Sequence, residues 1–170
     1  MEKLPMILLL CSMVIATPVV RGVVEGPKVV EEWFEKLSHV KEKVAKLCFY
    51  FHENLGKSQT FMPVAQSNIT YTSPNFFGLV VVMDDPLTVG PEISSKLVGR
   101  CQGLYGSTSQ IEMGYLMVMN FVFVDGEFNG SSLAVMGHNP LKHIYHEVSI
   151  VGGSGIFRLA CGVLTSWSML

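Results

Sequence analysis

Charge is scarce in this chain of 170 residues, and it favours neither sign. Asp, Glu, Lys and Arg make up 15% of the sequence, with 12 basic residues against 14 acidic ones and a net charge of −2. Without a basic excess or stripe, the chain lacks the electrostatic footprint of a nucleic-acid-binding protein. Because apolar residues make up 49% of it, the composition also excludes intrinsic disorder as the main state.

Several motifs of catalytic and metal-binding proteins are absent as well. No pair of cysteines has the C-x-x-C spacing, so a structural zinc site built on thiolates is excluded. No segment has the G-x-S-x-G form of a serine-hydrolase nucleophile elbow. The glycine cluster at residues 152–155 precedes a strand-like segment rather than a helix with a lysine, which favours a hairpin turn over a phosphate-binding loop.

The first residues have the three parts of a secretory signal peptide. Lys3 precedes the apolar run 6–14, and small residues such as Ala16 follow it. The apolar stretch is shorter than the about 20 residues of a membrane-spanning helix and contains Pro18. We therefore predict that residues 1–22 are removed and that the mature chain is secreted, with no membrane segment.

Secretion has consequences for the cysteines and for two asparagines. Removal of Cys11 leaves an odd number of cysteines in an oxidising compartment, so at least one thiol lacks a partner within the chain. The sequence has two N-x-S/T sequons, at Asn68 and Asn129, which are predicted glycosylation sites.

The apolar residues of segment 29–47 recur at steps of three and four. This spacing predicts one amphipathic helix, with Pro27 near its start and a polar face of mixed charge. Because that face is mixed rather than basic, a packing role is favoured over a membrane-surface role.

From Cys48 onward, period-2 alternation and short apolar runs replace the helical period. Turn residues separate the runs, including Asp84-Asp85-Pro86, Gly106-Ser107 and Gly137 through Pro140. Short strands without intervening helices indicate an all-β sandwich or barrel. The predicted strands are 47–53, 61–66, 79–83, 97–105, 115–124, 132–136, 147–151 and 157–163.

Three polar residues at strands are candidates for chemistry. Glu53 ends an aromatic strand, where burial among aromatic rings would raise its pKa and let it act as a general acid or base. Tyr105 ends a second strand, and Arg100 is a charged residue within that otherwise apolar strand. Taken alone, a carboxylate at a strand end such as Glu53 is more often solvated, and the alternative for Arg100 is a pair with an acidic neighbour at the rim.

Seven segments, taken in order, closely resemble the plant dirigent proteins. They are collinear over most of the region after the predicted helix. The segments are FYFHE (49–53), VAQS (64–67), FG (77–78), MDDPLT (83–88), SSKLVGRCQGLY (94–105), MNFVFVDGEFNGSSLAVMGHNP (119–140) and EVSIVGGSGIFRLACG (147–162).

The resemblance implies an all-β fold, an antiparallel eight-stranded β-barrel of the dirigent and allene-oxide-cyclase type. It also implies a homotrimer, a location in the plant apoplast, and no cofactor or metal. Dirigent proteins give stereoselectivity to the coupling of phenoxy radicals, for example from coniferyl alcohol to an optically active lignan. An external laccase or peroxidase makes the radicals, so the protein is an auxiliary rather than an oxidase.

Two other functions stay open at this point. A branch of the resembled family handles quinone methides and closes isoflavanols to pterocarpans, which would make the chain a dehydratase. The second alternative is a barrel that binds small ligands without catalysis, or an inactive subunit.

The resemblance also assigns five site residues, and three of them depart from the family pattern. Glu53 stands where an Asp is usual, Asn139 where some lignan-forming members have an Asp, and His146 where an Arg is usual. Arg100 and Tyr105 match. Imidazole is largely neutral near pH 7 and guanidinium is always charged, so His146 holds an oxygen-rich intermediate differently from arginine. All five are expected to converge at one end of the barrel.

Members of the resembled family continue beyond the position that matches residue 163 and add a closing strand. We therefore expect a signal peptide at 1–22, a helical segment at 23–47, and a barrel domain at 48–170 that lacks its closing strand. Such a barrel is incompletely closed, and its open edge exposes unpaired backbone groups. The apolar face of the predicted helix is a candidate cover for that gap.

Overall fold

A computed structural model describes residues 26–37, 42–53 and 59–167. Helix α1 spans Pro27–Lys36, with Pro27 in its first turn. The strands are β1 (Tyr50–Phe51), β2 (Phe61–Ala65), β3 (Val80–Thr88), β4 (Leu97–Ser107), β5 (Gly114–Phe123), β6 (Ser132–Pro140), β7 (Tyr145–Ser154) and β8 (Gly162–Trp167). Short 3-10 helices lie at Gly126–Phe128 and Gly155–Phe157. The predicted signal peptide lies outside the described residues.

The eight strands form one antiparallel sheet that curls into an incomplete barrel. The order is β1-β3-β4-β5-β6-β7-β8, and β2 also pairs with β3. In the described part of the chain, β8 pairs with β7 alone, and β1 and β2 pair with β3 alone. The expected all-β architecture and its incomplete closure are both confirmed.

Period-2 alternation divides each long strand between an inner and an outer face. In β3 the inner side chains include Val81, Met83 and Leu87, all of which are buried. The core inside the curl consists of Met83, Leu87, Cys101, Met119, Phe121, Phe123, Leu133, Val135 and Val148. Gly103 lies between Met83 and Met119 in the register, and a Cβ there would collide with the Val118 carbonyl oxygen, so only glycine fits.

Four predicted turns are wrong, because strands run through segments 84–86, 106–107 and 137–140 and through most of 152–155. The Asp84-Asp85-Pro86 segment is part of β3, because Pro86 lies between the β2 ladder, which reaches Met83, and the β1 ladder, which begins at Leu87. The missing N–H of proline therefore breaks neither ladder. The same error shortened three other predicted strands, since β4 continues to Ser107, β6 to Pro140 and β7 to Ser154.

The predicted helix over 29–47 is too long. The helix ends at Lys36, and residues 42–49 have no regular secondary structure, while 38–41 lie outside the described residues. Leu47 and Phe49 both pack against the core, and an extended chain can point residues two apart to the same side. The predicted strand 47–53 is consequently reduced to Tyr50–Phe51. No helix among the described residues has the length and hydropathy needed to cross a membrane.

Candidate functional site

Glu53 and Asp85 form an acidic pair beside β3. Glu53 lies two residues after β1, next to His52, whose backbone N–H donates a 3.2 Å hydrogen bond to the Pro86 carbonyl oxygen of β3, and the charge of Glu53 acts on Asp85. Asp85 alternates with Met83 and Leu87, so β3 points its carboxylate inward, where it has no solvent exposure. The Thr60 hydroxyl is the side-chain partner of this carboxylate, and the described residues give its oxygens no other hydrogen bond.

Burial raises the pKa of both carboxyl groups. For Asp85 it rises from 3.8 to about 6, first through desolvation and further through the charges of Glu53 and Asp84, while the Thr60 hydroxyl and Arg100 lower it. Desolvation also raises the pKa of Glu53, although this residue is exposed to solvent. Two neighbouring carboxyls that resist ionisation are suited to donate and accept protons in mildly acidic and neutral solution.

Two tyrosines lie within electrostatic reach of this pair. The rings of Tyr105 on β4 and Tyr115 on β5 have centroids 4.8 Å apart. Desolvation raises the pKa of Tyr105 to about 12, with further contributions from Glu53, Tyr115 and Asp85, and it raises that of Tyr115 together with Glu53. Both hydroxyls therefore stay neutral and can donate hydrogen bonds over the physiological pH range.

Asn139 and His146 extend the group across β6 and β7. Asn139 is the register partner of Tyr115, and its side-chain oxygen is buried without a hydrogen-bond partner among the described residues. His146 lies two positions from the core residue Val148 on the same strand face and is 4% exposed, and neither ring nitrogen has a partner within the described chain. Buried polar atoms without partners are costly, and ligand hydroxyls could donate to the Asn139 oxygen and exchange hydrogen bonds with the His146 ring.

Four of the five expected site residues thus face the interior, and the structure separates Arg100 from them. Arg100 alternates with the inward positions Gly99 and Cys101, so it lies on the outer face. There its Nε is 2.5 Å from the Asp84 carboxylate and its Nη2 is 2.6 Å from the Asp84 carbonyl oxygen. Arg100 therefore pairs with an acidic neighbour, which is the alternative given for it from the sequence. The expected convergence of the five site residues at one end of the barrel does not include Arg100.

Asp85 and Tyr115 were missed in the sequence. Asp85 was assigned to a turn because it follows Asp84 and precedes Pro86. The signal that identifies it is the alternation from Val81 to Leu87, which places a lone carboxylate among inward apolar residues. Tyr115 is likewise the first of the inward-facing residues that occupy every second position of β5. We call Glu53, Asp85, Tyr105, Tyr115, Asn139 and His146 the polar cluster.

An aromatic cluster fills the other part of the interior. The rings of Phe49 and Phe121 are in edge-to-face contact, with centroids 5.3 Å apart. The Phe123 ring centroid lies 5.7 Å from that of Phe128 and 5.4 Å from that of Phe157. The two clusters meet in one cross-strand row, in which Asp85 pairs with Cys101 and Cys101 with Phe121. A planar aromatic molecule at this boundary would have rings on one side and acid groups on the other.

The profile of the dirigent-like protein family matches residues 44–169. The chain belongs to the dirigent family. It is 48% identical over 122 residues to Dirigent protein 11 of Arabidopsis thaliana, and the aligned region covers 71% of this chain and 63% of that protein. It is 49% identical over 128 residues to Pterocarpan synthase 1 of Glycyrrhiza echinata, which covers 74% of this chain and 68% of that protein. The chain therefore spans less than two thirds of the Arabidopsis relative.

Solved structures of dirigent proteins share the fold. The pterocarpan synthase dirigent protein GePTS1 aligns with a TM-score of 0.64 at 49% identity, over 69% of this chain and 68% of that chain. A second one, PsPTS1, aligns with the same TM-score at 48% identity, over 69% of this chain and 77% of that chain. The expected family and fold are confirmed.

Proposed function

We propose that this dirigent-family chain binds phenoxy radicals of a phenylpropanoid alcohol, such as coniferyl alcohol, and directs their coupling to one stereoisomer of a lignan. The observation that carries the proposal is the acidic pair of Glu53 and Asp85 beside Tyr105, at the edge of an aromatic cluster. A one-electron oxidant outside the chain, a laccase or a peroxidase, supplies the radicals.

The coupling itself requires no electron from the protein. Each radical contributes one electron to the new carbon–carbon bond, and the product is a bis-quinone methide. A side-chain hydroxyl of the intermediate then adds to each quinone methide and loses its proton. The quinone oxygen gains a proton and becomes a phenol. The protein's part is to fix the faces that meet and to move these protons, which are positioning and acid–base tasks.

The polar cluster supplies groups for both tasks. A carboxyl with a pKa of about 6, as in Asp85, is partly protonated in mildly acidic solution and can donate to a quinone oxygen. Glu53 can accept the hydroxyl proton, and the neutral Tyr105 hydroxyl can hold a phenolic oxygen. The unpartnered atoms of Asn139 and His146 offer further contacts to an oxygen-rich intermediate.

We also propose that the chain assembles as a homo-oligomer, namely a homotrimer. We place it in the apoplast and propose glycans on Asn68 and Asn129. The support for assembly is a row of exposed apolar side chains that are cross-strand neighbours on the outer face. The row consists of Met62, Val82, Leu104, Val118 and Met136. An apolar row of this kind on a sheet surface is typical of a buried interface. Both asparagines are exposed.

A second candidate is dehydration of an isoflavanol to a pterocarpan. Two relatives support it: Pterocarpan synthase 1 of Glycyrrhiza echinata is 49% identical to this chain, and Pterocarpan synthase 1 of Glycine max is 48% identical. A protonated Asp85 would donate its proton to the leaving hydroxyl, which departs as water, while the phenol conjugated to that carbon gives its proton to a base such as Glu53 and a quinone methide results. A second phenolic hydroxyl then adds to the quinone methide and returns a proton to the Asp85 carboxylate, and the quinone oxygen regains its proton from Glu53.

One set of incubations separates these functions. The purified chain is mixed with coniferyl alcohol and a one-electron oxidant, and the lignans are resolved by chiral chromatography. The expected result is an excess of one enantiomer that grows with protein concentration. A racemic product from a folded chain contradicts the proposal and favours a ligand-binding module. Turnover of an isoflavanol without oxidant assigns the dehydratase function instead.

A further inference from the structure

The end of β1 is joined to β3 by hydrogen bonds through two side chains. His52 follows β1, and its ring nitrogen Nε2 lies 2.7 Å from the Thr88 hydroxyl oxygen of β3. The Thr88 hydroxyl in turn donates a 2.7 Å hydrogen bond to the Gly90 carbonyl oxygen. The His52 backbone N–H adds its bond to the Pro86 carbonyl oxygen. Neither side chain belongs to the polar cluster or to the aromatic cluster, so the function proposed above leaves this contact without a role.

The direction of each hydrogen bond follows from the single proton of a hydroxyl group. Thr88 donates that proton to Gly90, so its oxygen accepts from His52, and the ring carries a proton on Nε2. Thr88 is fully buried, which shields both bonds from exchange with water. Removal of the hydroxyl takes the partner from the ring N–H and from the carbonyl together, so Thr88 is the centre of the contact.

An anchored His52 also sets the direction of the next side chain. Successive side chains of an extended chain point to opposite faces. Thr88 alternates with the inward core residue Leu87 and is the register partner of Tyr50. His52, two residues after Tyr50, therefore lies on the outer side with Thr88. Glu53 comes next and turns to the inner side.

In the described part of the chain, β1 alone gives Glu53 little support. The strand has two residues and pairs only with β3. The charge of Glu53 nevertheless acts on groups of three strands, namely Asp85 of β3, Tyr105 of β4 and Tyr115 of β5. A carboxylate that faces all three needs a fixed backbone beside it, and the contact of the preceding residue supplies one.

We propose that His52 and Thr88 are positioning residues that hold Glu53 at the acidic pair. Their contact anchors the chain one residue before Glu53, and they act through this carboxylate rather than on the reacting atoms. The role rests on the proposed function, in which Glu53 accepts the hydroxyl proton. A base must lie within hydrogen-bond reach of the proton that it takes, and a displacement of about 1 Å can cost about 100-fold in rate.

NMR of the full chain with nitrogen-labelled histidine tests the contact directly. We expect the neutral His52 ring to carry its proton on Nε2 and this proton to exchange slowly with water. Thr88→Val removes the acceptor, so the same proton should then exchange rapidly. His143 is an exposed histidine and serves as the internal control, with rapid exchange in both proteins.

Two pairs of substitutions separate positioning from support of the fold. Thr88→Val and His52→Leu remove the contact, whereas Thr88→Ser and His52→Gln keep the hydroxyl or an N–H donor. NMR titration of the Glu53 carboxyl carbon should show its raised pKa falling towards the ordinary 4.5 in the first pair and staying raised in the second. Ser132→Ala is the matched control, since it removes a 2.7 Å side-chain bond to Ser154 between β6 and β7 and should leave Glu53 unchanged.

The pair at Thr88 is the decisive one, because it changes no charge near Glu53. The titratable groups on the strands around Glu53 are the same in both variants. They are Asp85, Tyr105 and Tyr115 on the inner side, with Asp84 and Arg100 acting on Asp85 from the outer side. A change in the Glu53 pKa therefore reports a change in its position. His52→Leu takes the place of Thr88→Val if that variant does not fold.

The coupling assay gives a second measurement on the same variants. The enantiomeric excess should be largely lost in Thr88→Val and kept in Thr88→Ser. An unchanged Glu53 pKa in folded Thr88→Val would overturn the proposal, even if the variant is less stable, and so would rapid exchange of the His52 ring proton in the wild type. A racemic wild-type product together with the expected NMR results would contradict the coupling function and still support the positioning of Glu53.

Discussion

The two clusters inside the curled sheet differ in how well their side chains are partnered. The aromatic cluster is made of rings that contact one another, such as Phe123 with Phe128 and Phe157. The polar cluster holds buried atoms without partners in the described chain, including the side-chain oxygen of Asn139 and both ring nitrogens of His146. Packing of the first kind stabilises a fold, and unsatisfied polarity of the second kind destabilises it unless a ligand contributes. The comparison assigns stability to one cluster and chemistry to the other.

The largest effect on stability is expected from Phe123→Ala. Phe123 is 3% exposed and is in contact with the rings of Phe49, Phe128 and Phe157. Removal of a buried ring costs about 3–5 kcal/mol in the free energy of unfolding. Urea denaturation measures this loss. Phe34→Ala is the matched control, because Phe34 is 66% exposed and should change stability by less than about 0.5 kcal/mol. Equal effects of the two substitutions would contradict the role of the aromatic cluster.

The next effect is a dependence of stability on pH that Asp85 causes. Its pKa is raised from 3.8 to about 6, so the folded chain keeps a proton that the unfolded chain has already released. The stability linked to that proton is fully present below about pH 4 and is lost as pH rises through about 6, a change of about 3 kcal/mol. Ordinary aspartates that gain a positive partner give the reverse slope.

Asp85→Asn should remove this slope, which urea denaturation at several pH values measures. The raised pKa of Glu53 gives a slope of the same sign, so the quantity to compare is the difference in slope between the wild type and Asp85→Asn. Asp84→Asn is the control: Asp84 is exposed on the outer face and its charge is a minor contribution to the raised pKa of Asp85, so its substitution should keep most of the slope. A wild-type protein that gains stability relative to Asp85→Asn between pH 4 and pH 6 would contradict the assignment.

A smaller effect is expected from Tyr105→Phe, which removes a hydroxyl and keeps the ring. Stability should change by about 1 kcal/mol or less, as for one hydrogen bond. The enantiomeric excess of the coupling product should fall, because the neutral hydroxyl is a proposed contact to the phenolic oxygen. Chiral chromatography measures it, with Tyr71→Phe as the control at an exposed tyrosine. An unchanged excess would remove Tyr105 from the proposed site.

The smallest effect is expected at the outer face, from Arg100→Gln. This substitution breaks the pair with Asp84, whose side chains are 35% and 51% exposed. Exposed pairs contribute about 0–1 kcal/mol, so both stability and product stereochemistry should stay close to wild type. A strong loss of stereoselectivity in a folded Arg100→Gln protein would show that the inner and outer faces do not divide the functions as described.

The sequence predicts the strands of this fold better than their ends. The alternation in β4 and β5 identifies both strands to within two residues, because each has a long inward row of apolar side chains. Turn-forming residues wrongly predict a turn where a continuous strand passes from one neighbouring strand to another, as β3 does at Pro86 between β2 and β1. The helix end was mispredicted because segment 42–49 keeps apolar residues that pack in extended conformation, which helical spacing alone cannot reveal.

For the site, the sequence identifies residues but not their neighbours. Glu53 and Tyr105 are recognisable as polar strand ends, and the family resemblance adds Asn139 and His146. The acidic pair depends on β1 lying beside β3, and that pairing is set by the whole sheet rather than by either segment. Arg100 could have been placed correctly, since Gly99 and Cys101 on either side are the inward positions.

The most direct test of the account compares two adjacent aspartates in one assay. Asp85→Asn removes the buried carboxyl, and Asp84→Asn removes the exposed one next to it on the opposite face. Both proteins, confirmed as folded, are incubated with coniferyl alcohol and a one-electron oxidant, and the lignan enantiomers are resolved. The account predicts a nearly racemic product from Asp85→Asn and a wild-type excess from Asp84→Asn. A wild-type excess from Asp85→Asn would contradict it.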